Sequence, residues 1–145
     1  MPRARPQFAV GALCNGLGRL AWGALVDARG FRGPFLAMLL AQAAVTAAAP
    51  AAANAGPRAF LATVAAAFFC LGGIFSMVPS AVGLLFGRAD AARAYALLFN
   101  AFAVASLGGV SAAKALIPRL GWPALYHALA AATLAAAGLT LLLDV

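Results

Sequence analysis

The sequence is 145 residues long, with 66% hydrophobic and only 9% charged residues and a mean hydropathy of +0.99. Soluble domains carry about 25% charged residues, so this composition cannot supply a water-facing surface and excludes an ordinary soluble domain. The net charge is +7, but the ten basic residues are scattered singly or in pairs along the chain. That distribution predicts topology-setting charges rather than a nucleic-acid partner, which would need a basic cluster.

Long apolar stretches separate the ionisable residues, and each is close to the ~20 residues that a helix needs to cross a bilayer core of about 30 Å. Backbone groups in lipid must be hydrogen-bonded internally, and these runs are too long and too poorly alternating for barrel strands. We therefore predict an all-α membrane protein, a multi-pass bundle of about five transmembrane helices that forms one domain over 1–145. The predicted spans are approximately 8–26, 34–53, 59–86, 94–116 and 122–143.

Three of these spans carry further expectations. The second half of 34–53 is nearly all alanine, so a low-complexity linker is the alternative to a helix there. The span 59–86 is longer than one crossing needs and contains Pro79, so a helix bent at that proline could line a cavity. Small residues at four-residue spacing predict close helix packing. They form two rows, Gly72, Ser76 and Ser80, and Ala101, Ala105, Gly109 and Ala113.

Arginines between the spans set the expected orientation, because short cytoplasmic loops carry an excess of Lys and Arg. With five crossings, one side holds four loop arginines and the C-terminus, and the other side holds two. The first group is Arg29, Arg32, Arg88 and Arg93, and the second is Arg58 and Arg119. The excess favours the first side as cytoplasmic, whereas Arg3 and Arg5 in the N-terminal tail argue for the opposite orientation.

Arg19 lies near the middle of the first span, where an arginine costs at least about 2.5–3.5 kcal/mol on insertion scales. It must therefore face something polar. Asn15 lies one turn earlier on the same helical face and can share its site. One interpretation is an anion-binding arginine, since the planar guanidinium suits a carboxylate. The other is a structural ion pair with another helix, and the residues alone leave both open.

The segment Gly23–Arg32, read G-A-L-V-D-A-R-G-F-R, resembles a loop signature of the major facilitator superfamily. The signature is a Gly, an Asp four residues on, and a second Gly amid basic residues. Here these are Gly23, Asp27, Arg29, Gly30 and Arg32. Gly23 would allow close helix contact, Asp27 would face the positive N-terminus of the next helix, and the arginines would hold the interface. Ala28 and Phe31 stand where basic residues are usual.

A second stretch resembles one branch of that superfamily, the oxalate/formate antiporters and monocarboxylate transporters, in their C-terminal half. The match reads F-C-L-G-G-I-F-S-M-V-P-S over 69–80, then Phe86-Gly87, then Y-A-L-L-F-N-A over 95–101. The resemblance covers nearly the whole chain and matches its spans to the family's eighth to twelfth helices. It implies a partial C-terminal half of a major facilitator fold, without the seventh helix and the N-terminal half.

The resemblance also implies a substrate site. In that branch an arginine of the eighth helix faces the substrate carboxylate, and it matches Arg19 within N-G-L-G-R. The resemblance also implies that oxalate carriers use a lysine on the eleventh helix, at the position where this chain has Phe102. With a single cation at the site, a monocarboxylate is favoured over oxalate. Lys114 could substitute, but it lies near a helix end and can snorkel to the interface. The candidate substrate-binding residues are Arg19, Asn15 and Asn100.

The predicted function is secondary transport of a small organic anion, with a monocarboxylate favoured, by alternating access in a complete protein of which this chain is a fragment. The expected partners are the lipid bilayer, the anion and the missing N-terminal half. The alternative is a non-transporting membrane scaffold or assembly subunit, in which Arg19 pairs with a partner helix. Three acidic residues and one histidine offer no acid–base pair or metal cluster. We therefore expect no enzyme, no catalytic residue, no cofactor and no metal.

Overall fold

The computed structural model describes residues 6–142, with the side chains of Pro6, Gln7 and Arg88 excepted. The tail arginines Arg3 and Arg5 and the last residue of the predicted fifth span lie outside the described residues. The chain folds into α1 (Pro6–Arg29), α2 (Arg32–Ala55) and α3 (Pro57–Thr140). Over the described part, the all-helical prediction is confirmed. Four stretches are long and apolar enough to cross a membrane, namely Phe8–Arg29, Arg32–Ala55, Pro57–Gly87 and Ala89–Thr140.

A single glycine ends α1. Gly30 adopts φ 75°, and its N–H donates to the Val26 carbonyl at 2.9 Å, which is the left-handed cap that glycine makes without steric cost. Helix α2 begins two residues later, with Pro34 in its first turn, where a missing N–H costs no helical hydrogen bond. The break is shorter than the predicted 27–33 loop because this cap turns the chain within two residues, so Asp27 and Arg29 remain helical.

The alanine-rich second half of α2 is helical throughout, so the linker alternative was wrong. Alanine has the highest helix propensity of any residue, and two of these small side chains pack inside the bundle. Ala43 is 4% exposed and Ala49 is 6% exposed. Pro50 lies within the same helix without ending it. Packing therefore reinforces the local preference.

Helix α3 is interrupted twice, at Gly87 (φ 68°, ψ 173°) and at Gly121 (φ 77°, ψ 167°). We name the three resulting sections α3a (57–86), α3b (88–120) and α3c (122–140). The predicted loop from 87 to 93 is a one-residue break, because the polar residues after Gly87 stay helical. At Pro79 the backbone angles are helical, so the chain breaks at the two glycines and not at that proline.

Helices α1 and α3a touch through their backbones. A Cβ added at Gly72 would collide with the Asn15 carbonyl oxygen and lie 2.9 Å from the Arg19 nitrogen. A Cβ added at Gly18 would collide with the Phe69 carbonyl in the same way. The predicted small-residue row of α3a therefore does form a close helix contact. Ser80, its last member, is exposed and bonds only to its own helix.

The core lies on the α2 side of this contact. The side chains of Met38 and Met77 are 1% and 0% exposed. Gly73 leaves room for both Met38 and Trp22, since a Cβ there would lie 2.7 Å from each side chain. Flexible methionines suit such an irregular gap between three helices. The core thus joins α1, α2 and α3a, and Ala137 of α3c packs against it.

Beyond its first turns, α3b leaves this bundle. The second predicted small-residue row is exposed from Ala101 through Gly109, and no atom lies within 4 Å of a Cβ added at Gly109. The close packing predicted for this row is therefore not made within residues 6–142.

The glycine contact gives a direct test of the fold. We expect Gly72→Ala to destabilise the protein by about 1–3 kcal/mol, because the new methyl group collides with backbone that cannot rotate away. The loss of stability is measured by heating each variant in detergent and determining, by size-exclusion chromatography, the fraction that remains folded at each temperature. The matched control is Gly16→Ala, at a helical position with open space, which should be neutral or slightly stabilising. Equal stability of the two variants would contradict the backbone contact.

Candidate anion-binding site

Arg19 and Asn15 form a short hydrogen-bonded chain from α1 to α3a. The Arg19 Nε donates to the Asn15 Oδ1 at 3.2 Å, as the one-turn spacing predicted. The Asn15 Nδ2 donates in turn to the Phe68 carbonyl at 3.4 Å. Since Asn15 is tied to the α3a backbone at one end, its oxygen is directed at Arg19. The neighbouring helix therefore helps to fix where the guanidinium lies.

The ring of Phe75 fixes one face of the same guanidinium. The Arg19 Cζ lies 4.9 Å from the centroid of the Phe75 ring, within the range of a cation–π contact. With Nε bonded to Asn15, Nη1 and Nη2 make no hydrogen bond to any described residue. These two nitrogens form one of the edges through which an arginine can bind a carboxylate in a bidentate manner. The arrangement holds the side chain in place and leaves its recognition edge open.

No ion pair inside the described chain satisfies Arg19. Asp27 and Asp90, the two carboxylates within residues 6–142, are both exposed, and neither is paired with it. Asp27 is two turns further along α1, about 12 Å along the helix axis. Among the described residues, the structural ion pair is therefore not formed. A pair with a helix from outside this chain remains the alternative.

An aromatic cluster lies beside Arg19, formed by Phe75 of α3a with Tyr95, Phe99 and Phe102 of α3b. The Phe75 ring lies 6.1 Å from Phe102 and 6.5 Å from Phe99, and Tyr95 lies 5.6 Å from Phe99. Sequence reasoning missed this cluster as part of the site. The signal was present, because residues 95, 99 and 102 fall on one helical face.

The structure does not bring Asn100 to this site. Asn100 is exposed on α3b and has no side-chain hydrogen bond to another described residue. Although Asn100 follows Phe99 in sequence, its side chain leaves the helix on a different face from the aromatic cluster, since successive helical residues differ by about 100° in direction. Lys114 is twelve residues beyond Phe102, about 18 Å along α3b, and is also exposed. It lies seven residues before the break at Gly121, and its snorkelling to the interface stays a prediction.

The five residues of the predicted loop motif do not form one cluster. A Cβ added at Gly23 would lie 3.8 Å from the Ser76 side chain, so Gly23 does lie at the helix contact. Arg32 donates from Nη2 to the Leu141 carbonyl at the end of α3, while Arg29 is exposed. The placement predicted for Asp27, facing the N-terminus of the next helix, stays a prediction. Phe31 precedes α2 and no side chain caps that helix, because Asp27 still belongs to the last turn of α1.

Comparisons with known proteins point to membrane carriers. The chain is 38% identical over 100 residues to apicoplast pyruvate carrier 1 of Toxoplasma gondii, which covers 69% of this chain and 18% of that protein. It is 36% identical over 110 residues to an oxalate:formate antiporter of Oxalobacter formigenes, covering 76% of this chain and 26% of the antiporter. Apicoplast pyruvate carrier 2 of Toxoplasma gondii is 35% identical over 92 residues, covering 63% and 14%.

The chain thus spans about a quarter or less of the length of these relatives. No family model and no solved structure matches it. Homology to carriers, together with four helices able to span a membrane, identifies a multi-pass integral membrane protein. The relatives are carriers rather than enzymes, which agrees with the prediction that this chain is not an enzyme.

Proposed function

We propose that the chain is part of a secondary transporter for a small monocarboxylate, and that Arg19 binds the carboxylate group. The observation that carries this proposal is the state of the Arg19 side chain. Asn15 holds its Nε, Phe75 covers one face, and Nη1 and Nη2 are left without a partner among the described residues. A carboxylate fits this fork with two parallel hydrogen bonds.

The surroundings of Arg19 support a substrate with one carboxylate and a small apolar body. The aromatic cluster offers a wall of rings against which such a body can pack. Lys114 supplies no second cation beside this cluster, since it lies about 18 Å further along α3b than Phe102. The relatives are named for pyruvate, or for oxalate and formate. A monocarboxylate therefore fits both the local chemistry and these relatives.

The proposed architecture has five crossings that belong to the C-terminal half of a major facilitator fold. The apolar stretch Ala89–Thr140 has 52 residues, about 78 Å as one helix, whereas a bilayer core is about 30 Å thick. Its break at Gly121 supports two crossings in place of one. The bond from Arg32 to the Leu141 carbonyl also supports this, because it joins the start of α2 to the end of α3.

In such a transporter, two halves enclose the solute near the midplane and expose it alternately to each side. Arg19 is exposed in this chain, so an N-terminal half could complete the site over it. We propose that this half is part of the complete protein and that the present chain is a fragment of it. Asn100 could contact the substrate only in another conformation of the transporter, one in which α3b is rotated so that this side chain faces α1.

Side-specific labelling tests the number of crossings. With Cys14 and Cys70 replaced by Ala, we expect single cysteines at Arg29 and Leu142 to react with an impermeant maleimide from the same side of a vesicle. A cysteine at Arg58 should react from the opposite side and serves as the control. Reaction of the Leu142 cysteine on the same side as the Arg58 cysteine would mean that residues 89–140 cross once, and the five-crossing proposal would be wrong.

The role of Arg19 can be tested in the complete protein reconstituted in proteoliposomes. We expect Arg19→Ala to abolish saturable uptake of labelled pyruvate, because charge-assisted hydrogen bonds contribute about 1.5–3 kcal/mol and none would remain. Arg19→Lys should retain weak binding, since lysine keeps the charge without the fork. Arg93→Ala, at an exposed position, is the control for folding and insertion. Unchanged uptake by Arg19→Ala would remove Arg19 from the substrate site, whereas absence of uptake by the unmodified protein would favour the scaffold alternative.

The residue at position 102 should set the preference between one and two carboxylates. We expect Phe102→Lys to make oxalate compete with pyruvate for the site, because a second cation then lies next to Phe75 and Arg19. Competition of unlabelled oxalate against labelled pyruvate measures the change. The control is Leu107→Lys, which adds the same charge at an exposed position further along α3b. Oxalate competition in both variants, or in neither, would contradict this role of Phe102.

A further inference from the structure

Two adjoining cavities form one groove on the surface between α2, α3a and α3c. Their volumes are about 430 Å³ and about 90 Å³, and they share Ala49, Phe60 and Tyr126. We call this feature the α2–α3 groove. It lies at the opposite end of the bundle from Gly30 and Gly87, so it is separate from the loop motif.

The groove runs parallel to the helices. Its outer end is lined by Asn54 and Trp122, next to the chain breaks at Gly56 and Gly121. Its inner end is lined by Val45 and Ala67. From Asn54 to Val45 the groove follows nine residues of α2, about 13 Å. In a membrane-spanning bundle this direction leads from the interface towards the bilayer centre.

The chemistry of the walls changes along that direction. Thr63, at the inner end, donates its hydroxyl to the Ala59 carbonyl at 3.0 Å, so the inner walls behave as apolar. At the outer end the rings of Trp122 and Tyr126 lie 6.3 Å apart, and Asn54 adds a polar amide. Trp and Tyr with an apolar body and a polar tip are typical of the membrane interface. The lining of the groove therefore changes from polar at the outer end to apolar at the inner end.

Two arginines lie close in sequence to residues that line the outer end. Arg58 precedes the lining residue Phe60 by two positions, Arg119 precedes the lining residue Trp122 by three, and both arginines are exposed. The sequence has no acidic residue from 31 to 89 or from 91 to 143. Asp27 and Asp90 lie next to the breaks at the other end. An anion at the outer end would therefore have two arginines nearby in the chain and no carboxylate from these ranges to repel it.

We propose that the α2–α3 groove binds one anionic phospholipid of the surrounding bilayer. One acyl chain lies along the inner groove, and the phosphate lies at the outer end near Arg58 and Arg119. A helix from a second copy fits poorly, because a segment about 13 Å long and 10 Å wide needs roughly twice the volume of the two cavities. The graded lining and the unopposed arginines match one lipid molecule instead.

Native mass spectrometry of the chain purified in detergent tests this proposal. The probes are phosphatidylglycerol and phosphatidylcholine with identical acyl chains. We expect one phosphatidylglycerol to be retained in preference to phosphatidylcholine. The double variant Arg58→Gln/Arg119→Gln should lose about tenfold or more in affinity for phosphatidylglycerol, since each arginine contributes to holding an anionic lipid. Ala67→Phe fills the inner groove and should lower the retention of both lipids.

Control variants distinguish binding in the groove from nonspecific attraction of anionic lipid to the basic surface of the protein. Arg29→Gln/Arg93→Gln removes the same charge at the other end and should leave phosphatidylglycerol retention unchanged. Ala53→Phe, at an exposed lining position, replaces Ala67→Phe if that variant unfolds. Equal loss in both double variants would mean surface attraction only, and lipid-free dimers would mean that a second copy fills the groove. Either result overturns the proposal, and neither depends on transport activity.

Discussion

The backbone contact between Gly18 of α1 and Gly72 of α3a is the constraint on which the site depends. A Cβ at either glycine would collide with a carbonyl group of the other helix. Because the helices touch here, Asn15 can reach the Phe68 carbonyl with its amide and hold Arg19 with its oxygen. The same approach brings Phe75 beneath the guanidinium. Removing the contact would separate the arginine from two of the groups that orient it.

This contact also divides the bundle into two sides with different chemistry. On the α2 side, Trp22 and Met38 fill the space opened by Gly73, and the result is a tight apolar core. On the other side Arg19 faces the aromatic cluster and remains exposed. A rigid core behind an open charged face is the arrangement that a binding site needs, since the scaffold keeps the arginine oriented while the ligand side stays accessible.

Much of this could be predicted from the sequence, because the deciding signals are local. Hydropathy predicted the helical class, and the one-turn spacing predicted the bond from Arg19 to Asn15. The break lengths could not be predicted, since one left-handed glycine turns the chain where residue composition suggested a loop of several residues. Phe75 was missed for a different reason. Its contact with Arg19 joins positions 56 residues apart and depends on how closely two helices approach.

The energetic cost of Arg19 links the site to the proposed mechanism. A guanidinium within an apolar span costs at least about 2.5–3.5 kcal/mol, and Asn15 and Phe75 offset only part of this. While Nη1 and Nη2 lack a partner, the side chain is stable only where water or another polar surface reaches it. Under the proposed function, a bound carboxylate would satisfy both nitrogens and neutralise the charge, and closing the occupied site off from water would then cost less than closing the empty one. In a carrier that works by alternating access, this difference couples closure of the cavity to the presence of the solute.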